Sequence, residues 1–123
     1  MKYILVTGGS RGLGRAICVR LTQMGPPILI NYQSNLAAAE ETLQQVVAAG
    51  GTAELLPFDV ADEASVEAAL DAWHTAHPDD YIAYLVNNAG IRRDAVMFMM
   101  PTADWKAVID TSLNGFYYVD RKS

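Results

Sequence analysis

The stretch Thr7-Gly8-Gly9-Ser10-Arg11-Gly12-Leu13-Gly14 has the makings of a phosphate-binding turn. Glycines let a backbone turn sharply and come close to a ligand, because no Cβ intervenes. The apolar run Tyr3-Ile4-Leu5-Val6 precedes it, and Arg15-Ala16-Ile17-Cys18-Val19-Arg20-Leu21, apolar at helical spacing, follows. A strand, a glycine turn and a helix in that order set unpaired N–H groups and the positive end of a helix dipole against an anion. The spacing Gly8-x-x-x-Gly12-x-Gly14 is neither the GxGxxG dinucleotide fingerprint nor the GxxxxGKS/T P-loop. A purely structural glycine turn is the competing reading.

Other residues bear on what the anion would be. No Asp or Glu occurs from Ile28 to Ala39, whereas Arg11, Asn31 and Ser34 are available. An acid at the end of the second strand would take a ribose 2′-OH, and an arginine there pairs with a 2′-phosphate. The expected cofactor is therefore NADP(H) rather than NAD, unless Arg11 is merely solvated. Asp59 could accept from an adenine amino group or cap a turn. Asn87-Asn88-Ala89-Gly90 reads as a bare turn, a ligand contact or a clamp on a neighbouring strand. Met97 to Met100 could line a substrate mouth, since methionine adapts to varied apolar shapes, or pack a core. Tyr118 and Lys122 have the helical spacing at which a lysine lowers a phenol's pKa for proton transfer; a solvated tail competes. His74 and His77 read as a solvated helix end, without the partners of a zinc site.

Elements that would position these groups alternate along the chain. A first helix is expected over 12–24, with Gly25 stopping it and Pro26-Pro27 breaking the backbone. Strands follow at 28–32, 52–56 and 81–86, the first of these a continuous apolar run. Helices are expected over 36–49, capped by Ser34-Asn35, over 63–76, capped by Asp62, and over 103–118, capped by Thr102, with a loop through the methionines. This β-α-β-α-β-α-β-loop-α order predicts an α/β fold, a Rossmann-like doubly wound parallel sheet. Ligands of such sheets bind at the strands' C-terminal ends. The glycine turn, Asp59 and the Asn87–Gly90 stretch all converge there.

At 123 residues the chain suits one domain with a real core. Hydrophobic residues make up 51% and charged residues 19%, the balance of a soluble globular protein. A net charge of −5 argues against a nucleic-acid partner. No run approaches the roughly 18 apolar residues of a membrane span, and the apolar start is too short for a signal peptide. The lone Cys18 cannot form an internal disulfide and reads as a buried apolar residue, fitting a cytoplasmic setting.

Taken together, Thr7-Gly8-x-x-x-Gly12-x-Gly14, Asp59-Val60 and Asn87-Asn88-Ala89-Gly90 resemble the short-chain dehydrogenase/reductase family along the whole chain. The run from Thr7 to Gly14, with Asn88-Ala89-Gly90-Ile91-Arg92-Arg93-Asp94, looks most like the 3-oxoacyl-acyl-carrier-protein reductases. That resemblance implies NADPH-dependent reduction of a 3-oxoacyl thioester to the 3-hydroxyacyl form, with a carrier-linked or other small carbonyl substrate. It implies phosphate contacts at Gly8, Ser10, Arg11, Gly12 and Leu13, with Gly14 in the same turn. It also implies adenine contacts at Asp59 and Val60 and a ribose-side contact at Asn88, beside Ala89 and Gly90.

Two departures follow. Ser112 stands where the family carries an active-site Asn. The family's catalytic Ser and Tyr-x-x-x-Lys follow a fifth strand, so Tyr118 and Lys122 match the spelling but not the place. The chain thus resembles the N-terminal half of such a reductase, cut after the fourth strand and the next helix, with an inactive nucleotide-binding module as the alternative reading. Methyl transfer from S-adenosylmethionine also uses glycine-rich first turns, and the Asn87–Gly90 stretch argues against it. A fourth strand left as a sheet edge would favour a homo-oligomer.

Overall fold

The computed structural model describes residues 1–10, 12–86 and 88, and the main chain of 97–99. Arg11, Ala89, Gly90, Ser112, Tyr118, Lys122 and the helix expected over 103–118 lie outside the described residues.

Strands β1 (Lys2–Val6), β2 (Ile28–Tyr32), β3 (Ala53–Pro57) and β4 (Tyr81–Val86) form the parallel part of the sheet, and β5 (Met97–Met99) adds to it antiparallel. Their order is β3-β2-β1-β4-β5. Helices α1 (Gly12–Leu21), α2 (Leu36–Ala48) and α3 (Glu63–Ala76) connect the parallel strands. The fold is Rossmann-like, and the order reverses direction between β1 and β4. Residues of β1 alternate between the faces: Tyr3 and Leu5 pack with Leu29, Leu85 and the α3 residues Val66, Leu70 and Trp73, while Ile4 and Val6 pack with Cys18, Leu21, Ile30 and Val46 from the α1–α2 side. A two-residue period buried on both sides gives strands that are apolar throughout, as parallel sheets require.

Helix ends follow the side chains that cap them. Asn35 Oδ1 accepts from Ala38 N–H at 3.0 Å, and Asp62 Oδ1 from Ala64 and Ser65 N–H at 3.1 and 3.2 Å. The first helix is shorter than its sequence suggests, because Thr22–Met24 tightens into a 3₁₀ turn before Gly25. Pro57 closes β3, an edge strand, where a missing N–H costs no ladder bond.

Two expectations are corrected here. Met97–Met99 is a strand and not a loop, paired with β4 through Tyr84↔Met99, Leu85↔Phe98 and Val86↔Met97. β4 is therefore not the open edge that the chain pattern implied. The reason is physical: three apolar residues beside a buried strand satisfy its ladder more readily than water can.

His77 is likewise no solvated helix end. Its ring stacks on Trp73, centroids 4.6 Å apart, its Nδ1 lies 2.9 Å from Trp73 O, and its Nε2 lies 3.2 Å from Glu54 Oε1. The Tyr3 hydroxyl donates to Glu54 Oε2 at 3.0 Å. Burial, then the hydrogen bond to Glu54, then the charges of Glu54 and Asp80 push the Tyr3 phenol up to about 12. This aromatic and acidic knot ties β1, β3 and the end of α3 at the sheet's N-terminal side.

Candidate nucleotide-binding site

At the opposite end, the chain leaves β1 into the glycine turn. Gly8 has φ 65°, a left-handed conformation that a side chain resists. Its N–H donates to Asn31 Oδ1 at 3.0 Å, and its carbonyl accepts from Asn88 Nδ2 at 3.1 Å. Gly9 N–H donates to Asn31 O at 2.8 Å. Gly14, in the first turn of α1, passes so close that a Cβ would lie 2.0 Å from Gly8 O and 2.8 Å from Asn88 Nδ2. Two sides of one turn and an amide from the end of β4 thus interlock, and a methyl group would break the arrangement.

A cleft of about 310 Å³ opens beside this turn, lined by Gly8, Ser10, Asn31, Tyr32, Gln33, Phe58 and Val60. It lies at the C-terminal ends of β1, β2 and β3. Among the described residues no carboxylate lines it. The carbonyl oxygens of Gly8 and Ser10 are drawn into bonds with protein donors, Asn88 for the first and Arg15 and Thr42 for the second. The first N–H groups of α1 have no partner within their helix. An anion entering here meets donors and a dipole's positive end, with the nearest acceptors already engaged.

The expected residues that fall among the described ones can each be located. Gly8, Ser10, Asn31 and Val60 line one cleft. Gly12 and Leu13 are exposed at the start of α1, and Gly14 is buried under the turn. Asn88 reaches Gly8 and acts as a clamp on the glycine turn. Asn31 differs from its expected role. It is 2% exposed, and its Nδ2 donates to Leu56 O and Phe58 O at 3.2 and 3.1 Å while its Oδ1 takes the Gly8 N–H. Its amide is spent on bracing β1, β2 and β3, so the side chain supports the cleft from below. Ser34 is exposed beyond Gln33 and is not part of the cleft wall. Asp59 Oδ1 accepts from Ala61 N–H at 2.9 Å, and its own N–H donates to Ser65 Oγ at 3.0 Å, which is the turn-capping alternative. Cys18 is buried beneath Gly9, and desolvation pushes its thiol up to about 12.

Arg15 and Thr42 escaped the sequence reading. A cation in a helix's first turn opposes the dipole there. That misfit, one residue after Gly14, was the available signal that Arg15 has an engagement elsewhere.

With that geometry in place, comparison with known proteins is informative. The sequence matches the short chain dehydrogenase family over residues 2–122. The chain belongs to this oxidoreductase family. It is 37% identical over 113 residues to a 3-oxoacyl-[acyl-carrier-protein] reductase of Synechocystis sp., covering 92% of this chain and 45% of that one. It is 40% identical over 124 residues to the uncharacterized oxidoreductase YgfF of Escherichia coli, covering 100% and 49%. Among solved structures, a putative dehydrogenase from Burkholderia cenocepacia with bound NADP is similar at TM-score 0.61 and 32% identity, over 70% of this chain and 33% of that one. The chain spans about half the length of the curated relatives it matches.

Proposed function

We propose that this chain forms one NADP(H)-binding unit of a reductase that converts a 3-oxoacyl thioester, carried on acyl-carrier protein, to the 3-hydroxyacyl form in the cytoplasm. One observation carries the cofactor half of this reading: among the described residues the cleft beside the glycine turn has no carboxylate wall, and the carbonyls of Gly8 and Ser10 are tied to protein donors. A dinucleotide with a 2′-phosphate is the most anionic of the nicotinamide cofactors, and an acid-free cleft at a helix N-terminus suits it. The Synechocystis relative's name supports the substrate class, and the Burkholderia neighbour with NADP supports the cofactor.

NADPH, when bound, supplies the hydride. The chain's own residues bind and orient. Ser10 and the first turn of α1 would face the pyrophosphate. Tyr32, Gln33, Phe58 and Val60 would enclose the adenosine end, with Phe58 and Val60 as its apolar wall. Asn31 and Asn88 hold the turn to the strand ends and keep its shape fixed while ligand comes and goes. In the family pattern the proton for the carbonyl oxygen comes from a tyrosine in a segment that Tyr118 and Lys122 match only in spelling.

Isothermal titration of the chain with NADPH and NADH tests the cofactor reading. Tighter NADPH binding is expected, and equal or tighter NADH binding would sink it. Reduction of a 3-oxoacyl substrate assayed on this chain alone is expected to be negligible. Robust NADPH oxidation would give this chain the catalytic role as well.

A further inference from the structure

Arg15, in α1, is held by both the glycine turn and α2. Its side chain is only 21% exposed. Nε donates to Thr42 Oγ1 at 3.0 Å, and Nη2 donates to Ser10 O at 2.6 Å and to Ala38 O at 3.1 Å. Nη1 lies 3.5 Å from the exposed carboxylate of Glu41. Thr42 is fully buried, and its hydroxyl donates to the same Ser10 carbonyl at 3.0 Å. Two donors, one of them charged, thus converge on a single loop oxygen. Bonds from an ionised donor are shorter and stronger than neutral ones, and the planar guanidinium offers several at fixed angles.

We propose that Arg15 and Thr42 are positioning residues that set the glycine turn for pyrophosphate. They draw the Ser10 carbonyl away from the cleft. Fixing that oxygen holds the Ser10 backbone in one orientation against α2. The clamp further seats α2 against the turn through Ala38 and Thr42, so the loop enters its binding shape before the ligand arrives and loses less freedom on binding. The guanidinium adds a fixed positive charge behind the turn, only partly offset by Glu41. This inference rests on the cofactor reading above.

The test compares two ligands on the full chain by calorimetry: NADPH, which carries the pyrophosphate, and adenosine 2′-monophosphate, which lacks it. Arg15→Met is expected to weaken NADPH about tenfold, the scale of one charge-assisted contact, while adenosine 2′-monophosphate changes less than about twofold. Arg15→Lys keeps the charge without the fork and should fall between. Thr42→Val should weaken NADPH about threefold, and Thr42→Ser, which keeps the hydroxyl, should restore it. If Arg15→Met fails to fold, the Thr42 pair decides, since both variants retain the arginine. NADPH binding in Thr42→Val and Arg15→Met equal to the unaltered chain would overturn the inference. So would equal losses for both ligands, the mark of a scaffold role alone. An unaltered chain that binds no NADPH would remove the cofactor reading, and this inference with it.

Discussion

The two ends of the sheet are stitched by different chemistry. At the strands' N-terminal ends, Tyr3, Glu54, Trp73 and His77 form a knot of rings around one carboxylate. At the C-terminal ends, two neutral amides, Asn31 and Asn88, grip the main chain of Gly8 from either side. Both ends join strands that are distant in sequence. Only the first uses an acid, and burial followed by that acid raises the pKa of its phenol neighbour. A carboxylate in the equivalent place beside the glycine turn would repel a phosphate at short range. Amides brace without a charge, and Arg15, a cation among the described residues nearby, has the sign that attracts. The difference teaches that where a ligand's charge must be welcomed, the scaffold gives up ionic fastening and relies on uncharged donors and close contact.

That contrast can be broken most violently at Gly14. Gly14→Ala puts a methyl into Gly8 O and Asn88 Nδ2. It is expected to cost about 3 kcal/mol or more of stability by urea unfolding, and to abolish NADPH binding. Asn31→Ala comes next. It strands the Gly8 N–H and the carbonyls of Leu56 and Phe58 without their amide partner, and a loss of about 2–3 kcal/mol is expected, with weakened NADPH binding by calorimetry.

The smallest effect belongs to the other end. Tyr3→Phe should cost about 1 kcal/mol at neutral pH and leave NADPH affinity unchanged. Its clearer signature is alkaline. The Tyr3 phenol stands at about 12 in the fold against an ordinary 10, so the fold favours the neutral form. That contribution is fully present below pH 10 and is lost as pH rises through 12. Urea unfolding from pH 9 to 12 should therefore show a shallower fall in Tyr3→Phe than in the unaltered chain. Cys18, whose thiol is also pushed up to about 12, adds to the slope that remains. An NADPH affinity that moved with Tyr3→Phe would blur the division between the two ends.

Much of the fold could be read from residue order because it depends on local signals. Continuous apolar runs such as Ile28–Tyr32, the caps Asn35 and Asp62, and the stop at Gly25 each declare an element within a few residues. The β5 strand could not be read this way. Met-Phe-Met carries no alternation or turn signal, and it becomes a strand only by pairing with β4. The site divides along the same line. Glycine spacing is local, so the turn was visible. The commitment of the Asn31 amide to Leu56 and Phe58, and the grip of Arg15 on Ser10 and Thr42, depend on which helix or strand comes alongside. A residue's type states what it can donate and accept, and only packing states to whom.

The bond from Asn88 to Gly8 spans 80 residues. A ribosome working at about 5–20 residues per second takes roughly 4–16 s to make that span. Through that interval the glycine turn exists without one of its two amide supports, and the earlier one, Asn31, arrives only after the intervening helix. The part of the chain made almost first is therefore among the last to acquire its final shape. A nascent chain halted before Asn88 would carry the whole glycine sequence with the turn still half-braced.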